Sequence, residues 1–124
     1  MNLVDSSCWL EFFAGSTVGE LVSEPIENTR QLIVPAIVIY EVFKKLLAEV
    51  GEDNAIMALA HMKQGKVVDL DSALAIQAAK IGFENKLALA DSIIYATALQ
   101  HDCLLWTQDK HFENMAHVRY FKKC

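Results

Sequence analysis

The sequence predicts an α/β fold: a three-layer α/β/α sandwich with a central parallel sheet. Short apolar runs with few polar interruptions are typical of strands that are buried on both faces of a sheet. These runs alternate with longer segments of helical periodicity, as expected when helices connect parallel strands. The chain has 124 residues, which matches the commonest domain size of roughly 100–150 residues. Since it contains neither repeats nor Pro/Gly-rich linkers, we expect a single domain over residues 1–124.

Five apolar runs are predicted as the strands of this sheet. Aliphatic and β-branched side chains dominate them, and such side chains favour extended backbone. Pro35 ends the second run, because a proline removes a backbone donor from the sheet. The predicted strands are, in chain order, 3–4, 31–34, 66–70, 103–107 and 118–121.

Capping and breaking residues delimit the predicted helices. Thr17 and Glu20 form a capping box, and Asp53 and Asp71 occupy N-cap positions, where a side-chain oxygen satisfies a free backbone N–H. Pro25 predicts a bend or an end in the first of these helices. The predicted helices are 17–28, 36–50, 54–64, 72–85, 89–101 and a short 109–115.

The charge balance excludes one class of nucleic-acid-binding protein. The chain has 11 Lys and Arg residues against 16 Asp and Glu residues, a net charge of −5 at pH 7. This excludes a protein that holds nucleic acid by a broad basic surface. A nuclease that carries its positive charge as metal ions remains compatible with the composition.

Nothing in the sequence predicts membrane insertion or export. The longest uncharged apolar stretch, residues 32–40, is far shorter than the roughly 20 residues that span a bilayer. The N-terminus lacks the positive charge of a signal peptide. We therefore expect a soluble, cytoplasmic protein without a membrane partner.

The cysteine and histidine residues show no metal-binding spacing. Cys8, Cys103 and Cys124 are odd in number and far apart, so neither a disulfide framework nor a zinc knot is predicted. A Cys–His nucleophile pair stays open as an alternative, although no feature supports it. The four histidines are interpreted as surface or helix-end residues; they are His61, His101, His111 and His117.

Four acidic residues lie in apolar segments where acids are unusual: Asp5, Glu41, Asp91 and Asp109. Asp5 and Asp109 follow strands, and the carboxyl ends of strands are where an α/β sheet builds its site. Carboxylates without a positive partner are costly in such surroundings. If they converge, their repulsion raises their pKa values unless divalent cations bind. Hard oxygen ligands around an open cavity favour Mg²⁺ or Mn²⁺ rather than zinc.

Each acid also has a purely structural interpretation. Asp5 and Asp109 are possible N-caps of the helices that follow them. Glu41 is spaced to pair with Lys45 at i,i+4 on a solvent-facing surface. Asp91 is placed where a helix dipole favours an acid. Four independent coincidences are less probable than one shared site.

The ordered set of motifs around these acids resembles a PIN-domain ribonuclease of the VapC toxin type. The last motif resembles the T-x-D-x-x-F ending of that family. Trp106 departs from the family, which more often has an aliphatic residue there. The matching segments span nearly the whole chain in the family's order; they are residues 3–9, 34–42, 89–98 and 105–112.

The resemblance implies an activity, a cofactor and partners. By matching motifs, Asp5, Glu41, Asp91 and Asp109 are the catalytic metal ligands, and Thr107 positions the last acid or a metal-bound water. The implied activity is Mg²⁺- or Mn²⁺-dependent endoribonuclease cleavage of structured RNA such as tRNA or rRNA. The implied partners are a cognate antitoxin that blocks the site and a second copy of the chain in a homodimer.

Two rival enzyme classes require residues that this sequence lacks. A phosphoryl-accepting receiver domain needs adjacent acids after its first strand, but Ser6 and Ser7 follow Asp5. A haloacid-dehalogenase-type phosphatase needs an Asp at position 7, which is Ser7. The remaining rival is a catalytically silent PIN-like module that only binds a protein partner.

Overall fold

The fold is a parallel sheet flanked by helices, and the computed structural model describes residues 1–123 of it. Cys124, the third cysteine of the sequence, lies outside the described residues, while Cys8 and Cys103 are buried free thiols. The strands are β1 (Asn2–Val4), β2 (Leu32–Pro35), β3 (Lys66–Val68), β4 (Leu104–Thr107) and β5 (Val118–Tyr120). All neighbouring strands are parallel, in the order β3-β2-β1-β4-β5.

Helices flank this sheet, which confirms the predicted α/β/α class. The helices are α1 (Ser6–Ala14), α2 (Thr17–Glu27), α3 (Ala36–Val50), α4 (Glu52–Met62), α5 (Ser72–Asn85) and α6 (Leu89–Gln100). Two 3₁₀ turns, Thr29–Gln31 and Lys110–Phe112, precede β2 and β5. No helix within residues 1–123 is long and apolar enough to cross a bilayer.

The neighbouring strands β1 and β4 end side by side next to the predicted site residues. β1 pairs with β4 so that Val4 lies opposite Trp106, and the Asp5 N–H continues the ladder by donating to the Trp106 carbonyl at 2.9 Å. Leu3, Val4 and Leu105 are fully buried. The residues that follow β1 and β4 therefore leave a rigid core side by side at the carboxyl edge of the sheet.

Two helix starts differ from the sequence prediction. The N-cap of α2 is Ser16 rather than Thr17, and its Oγ accepts from the Gly19 N–H at 3.1 Å. α4 begins at Glu52 after Gly51, not after Asp53. Gly51 has a φ of +85°, a conformation that glycine adopts without strain, so the chain turns sharply from α3 into α4 there.

Three element ends also differ. Pro25 lies inside the last turn of α2 without ending it. β3 stops at Val68 because its partner Pro35 is the last residue of β2, after which α3 begins. The predicted helix 109–115 is only the 3₁₀ turn Lys110–Phe112, since the buried Phe112 ring anchors it and the chain must enter β5 shortly afterwards.

Trp106, where the family more often has an aliphatic residue, lies in β4 and packs against the chain that follows β5. Its ring stacks on Phe121 with centroids 5.9 Å apart, and its Nε1 donates to the Asn2 Oδ1 at 2.9 Å. The indole therefore has both apolar contact and a hydrogen-bond acceptor, which is what a half-buried tryptophan requires.

Candidate functional site

All four predicted acids line one open cavity of about 800 Å³ at the carboxyl edge of the sheet. Each comes from a different part of the fold: Asp5 follows β1, Glu41 lies on α3, Asp91 lies in the first turn of α6, and Asp109 follows β4 by two residues. The crossover connections of the parallel sheet bring these elements to the same edge, although the acids span more than 100 positions of the sequence.

Thr107 connects the first acid to the last. Its hydroxyl donates to the Asp5 Oδ2 at 2.7 Å and accepts from the Asp109 N–H at 2.9 Å. The other Asp5 oxygen accepts from the Ser6 N–H at 2.7 Å. Thr107 is fully buried and Asp5 is 6% exposed, so this network has little freedom to rearrange. The arrangement suits the predicted positioning role of Thr107.

Ser6 connects the second acid to the same network, and sequence reasoning missed it. Its hydroxyl donates to the Glu41 Oε1 at 2.5 Å. Lys45 instead pairs with Glu49 at 3.2 Å, so the interpretation of Glu41 as an i,i+4 partner of Lys45 is wrong. The signal available in the sequence was the position of Ser6 directly after a strand-end acid and at the start of a helix.

Asp91, Asp109 and His111 form the tightest group of possible metal ligands. One ligand atom from each lies within 4.8 Å of the other two. The His111 Nδ1 lies 2.8 Å from the Asp109 Oδ1 and 3.9 Å from the Asp91 Oδ2. Asp5 and Glu41 line the same cavity but lie outside this three-residue group.

The surface interpretation of His111 was therefore incomplete. Its side chain is 73% exposed, as a surface residue should be, yet it lies in the acidic cavity. Asp109 accepts the His111 backbone N–H at 2.9 Å, which caps the short turn and directs the ring to the acids. The spacing of two residues after a strand-end acid was the only signal in the sequence.

The structural interpretations of three acids are also correct. Asp5 is the N-cap of α1, Asp109 caps its own 3₁₀ turn, and Asp91 lies in the first turn of α6. These roles hold the carboxylates in place but do not neutralise them. Within residues 1–123, no Lys or Arg forms an ion pair with any of the four acids.

Burial and the neighbouring carboxylates raise the pKa of two acids of the site. Burial raises the pKa of Asp5 to about 6, with smaller contributions from the nearby Glu41 and Asp109 charges. Burial also raises the pKa of Asp91 to about 7, and the adjacent Asp109 carboxylate adds to this effect. Each shift measures the free-energy cost of the ionised form, and a bound cation would reverse it.

The donor set fits a hard divalent cation. The four predicted acids, Glu113 and the His111 imidazole line the cavity, and oxygen-rich sites of this kind suit Mg²⁺ and Mn²⁺. The buried hydroxyl of Ser7, on the same wall, has no hydrogen-bond partner within the described residues.

Cys8 is fully buried, which disfavours it as a nucleophile. Burial raises the pKa of the Cys8 thiol to about 12, so the reactive thiolate does not form near neutral pH. The alternative of a Cys–His pair therefore has no support at Cys8.

Comparisons with known proteins agree with this architecture. A toxin–antitoxin complex from Klebsiella pneumoniae is similar in fold, with 23% identity over 96% of each chain and a TM-score of 0.81. The Sarcin-Ricin loop cleaving toxin VapC20 of Mycobacterium tuberculosis has 17% identity, covering 94% of this chain and 95% of that one, and a TM-score of 0.75. DNA-bound VapBC from Salmonella typhimurium has 17% identity over 98% of each chain and a TM-score of 0.73. No curated protein sequence matches the chain significantly. The PIN domain model matches residues 3–118. The chain therefore belongs to the PIN domain family.

Proposed function

We propose that the chain is a divalent-metal-dependent endoribonuclease and the toxin of a toxin–antitoxin pair. The observation that carries the proposal is the convergence of four carboxylates from four parts of the fold on one open cavity. The family supports nuclease chemistry, and the fold neighbour VapC20 is described as a toxin that cleaves the Sarcin-Ricin loop. The proposed substrate is structured RNA such as tRNA or rRNA.

In this proposal Asp5, Glu41, Asp91 and Asp109 hold Mg²⁺ or Mn²⁺. When bound, the metal neutralises the carboxylates and the phosphodiester and lowers the pKa of water. Thr107 keeps the Asp5 oxygen and the Asp109 backbone in fixed relation through its two hydrogen bonds. A positioning role of this kind reduces the reorganisation that the site must undergo during reaction.

Ser6 has a matching positioning role on the other side of the site. Its hydroxyl occupies one Glu41 oxygen, which leaves the second oxygen for a ligand and restrains the rotation of a flexible side chain. The short helix α1 thus links Asp5, its N-cap, to Glu41 through adjacent residues.

The test is cleavage of total cellular RNA by the purified chain. We expect discrete fragments with Mn²⁺ or Mg²⁺, none with EDTA, and none with Asp91→Asn. Asp53→Asn, which changes an exposed acid of α4 far from the cavity lining, is the matched control and should cut like the unmodified chain. Intact RNA under every condition would instead favour the catalytically silent protein-binding module.

The partners are part of the same proposal. The Klebsiella and Salmonella neighbours are toxin–antitoxin assemblies, which supports a cognate antitoxin for this chain. Large exposed apolar side chains, including Phe83 at 88%, Leu89 at 78% and Met57 at 70% exposure, provide surface for that partner and for a second copy of the chain. Light scattering of the chain, alone and with the antitoxin, tests both associations.

A further inference from the structure

Positive charge is concentrated in the last part of an acidic chain. Residues 110–123 contain four of the 11 Lys and Arg residues but only one of the 16 acids, Glu113, a net charge of +3. The rest of the chain consequently carries −8. The C-terminal segment is therefore the part of the chain whose net charge attracts a polyanion.

This positive segment forms one wall of the carboxylate cavity. Lys110, Lys122 and Lys123 line the cavity together with the four acids and Glu113, and we call these three lysines the basic rim. All three are exposed, and none forms an ion pair within residues 1–123. Their ammonium groups are thus free to bind a ligand that enters the cavity.

The fold places the basic rim on the side of the cavity that is next to β5. Lys110 opens the 3₁₀ turn before β5, and Lys122 and Lys123 follow β5. Since β5 is an edge strand, the rim lies along one side of the sheet. Arg119 of the same strand is held over the Trp106 and Phe121 rings at 5.2 and 5.3 Å, which adds a cation to the positive side without entering the cavity.

The acids repel a nucleic acid, and a cation bound to them would act at the scissile phosphate. Attraction beyond the scissile phosphate must come from fixed positive side chains, since phosphate contacts dominate the affinity of proteins for nucleic acids. The basic rim is the group of lysines that shares the cavity with the acids.

We infer that RNA enters the site across the β5 edge, with Lys110, Lys122 and Lys123 binding the phosphates that flank the cleaved bond. The inference rests on the proposed nuclease function and assigns the substrate-binding residues of that site. It also explains how a protein of net charge −5 holds a polyanion: the attraction is local and one-sided.

The experiment measures RNA binding by the full chain in the Asp91→Asn background, which keeps the RNA intact. A fluorescent RNA hairpin is titrated between about 50 and 200 mM salt, the range over which phosphate contacts are resolved. Replacing both Lys122 and Lys123 by Gln should weaken binding about tenfold or more at the lower salt. The slope of log affinity against log salt should fall in magnitude by about 1.5, since each lost phosphate contact contributes about 0.7–0.9.

Two variants serve as controls. Lys63→Gln with Lys66→Gln removes two exposed charges near and on β3, the opposite edge strand, and should leave the slope nearly unchanged. Lys122→Arg with Lys123→Arg keeps the charge and should bind like the parent. If both pairs of Gln substitutions weakened RNA binding equally, the effect would depend only on net charge, and the inference would be overturned. Unchanged RNA binding after replacement of Lys122 and Lys123 by Gln would overturn it as well.

The outcome also separates the inference from the proposed function. If the unmodified chain cuts RNA and the Lys122 and Lys123 pair leaves the salt slope unchanged, the entry path is wrong and the nuclease stands. If the unmodified chain neither cuts nor binds RNA, both fail. If the Gln pair binds RNA normally but loses the antitoxin, the rim is a protein contact and the inference is overturned.

Discussion

At the scale of single residues, two hydroxyl groups organise the acids of the site. Thr107 bonds Asp5 and the Asp109 backbone, and Ser6 bonds Glu41. Neither hydroxyl has to touch the substrate for its loss to matter. Partners of metal-binding carboxylates typically change metal affinity or activity by about 10–100-fold when removed.

Thr107→Val should lower cleavage about 10–100-fold and weaken metal binding. Valine keeps the shape but leaves the Asp5 Oδ2 without its donor. The comparison is Thr97→Val, also fully buried, whose hydroxyl bonds only the Ile93 carbonyl of its own helix. Calorimetric titration with Mn²⁺ and RNA cleavage rates measure the two effects; equal losses in both variants would refute the positioning role.

Asp5→Asn should make the metal-free chain more stable at pH 8 while abolishing cleavage. Burial raises the pKa of Asp5 from 3.8 to about 6, so folding at pH 8 carries the cost of a buried charge, about 3 kcal/mol. Asparagine removes the charge and keeps an acceptor. Urea unfolding in EDTA measures the difference. A less stable variant at pH 8 would mean that the hydrogen bonds to the carboxylate outweigh its burial.

At the scale of elements, the close contact of α1 and α2 depends on Gly19. A Cβ at this position would overlap the Glu11 backbone carbonyl and lie 2.8 Å from the Phe12 Cα. Backbone cannot move aside as a flexible side chain can. Since α1 carries Ser6 and is capped by Asp5, the packing of this helix pair also supports the site.

Gly19→Ala should therefore destabilise the chain by about 1–3 kcal/mol, the usual cost of overpacking, even though alanine favours helix. Ser23→Ala is the control in the same helix, because the Ser23 hydroxyl bonds only the Glu20 carbonyl, and its effect should stay within about 0.5 kcal/mol. Chemical unfolding compares them. A Gly19→Ala chain as stable as the control would show that the two helices separate easily.

At the scale of the whole molecule, the carboxylates of the site make the stability of the folded chain depend on pH. The pKa of Asp5 is raised from 3.8 to about 6 and that of Asp91 from 3.8 to about 7. Between the ordinary pKa of 3.8 and these raised pKa values, the native state binds more protons than the unfolded state. The stabilisation from their protonation is fully present below about 3.8 and is lost as pH rises through about 6 and about 7. Stability should consequently decrease with rising pH over this window.

We expect the metal-free chain to unfold at a lower urea concentration at pH 8 than at pH 5. Saturating Mg²⁺ should recover much of the loss at pH 8, because an ion that binds only the native state stabilises it. In Asp5→Asn the pH dependence should become shallower. A stability that rises from pH 5 to pH 8 in EDTA would contradict the assignment of the raised pKa values to the folded site.

Local patterns determined the fold class and the four acids that meet in the cavity. Buried parallel strands need continuous apolar runs, and an acid at the end of such a run is visible without any structure. The same local logic misplaced the starts of α2 and α4, where a neighbouring serine or a glycine with positive φ competed with the expected cap. Capping is decided by small differences between adjacent residues, which the pattern does not resolve.

Only the tertiary structure decided which side chains meet the acids. Ser6 bonds Glu41 across 35 positions and Thr107 bonds Asp5 across 102. The packing of α1 against α3 and the pairing of β1 with β4 set these neighbours. The sheet order β3-β2-β1-β4-β5 placed Asp91 beside Asp109 and His111 and brought Lys122 and Lys123 to the cavity wall. Such contacts join segments far apart in the chain, so no periodicity or spacing in the sequence encodes them.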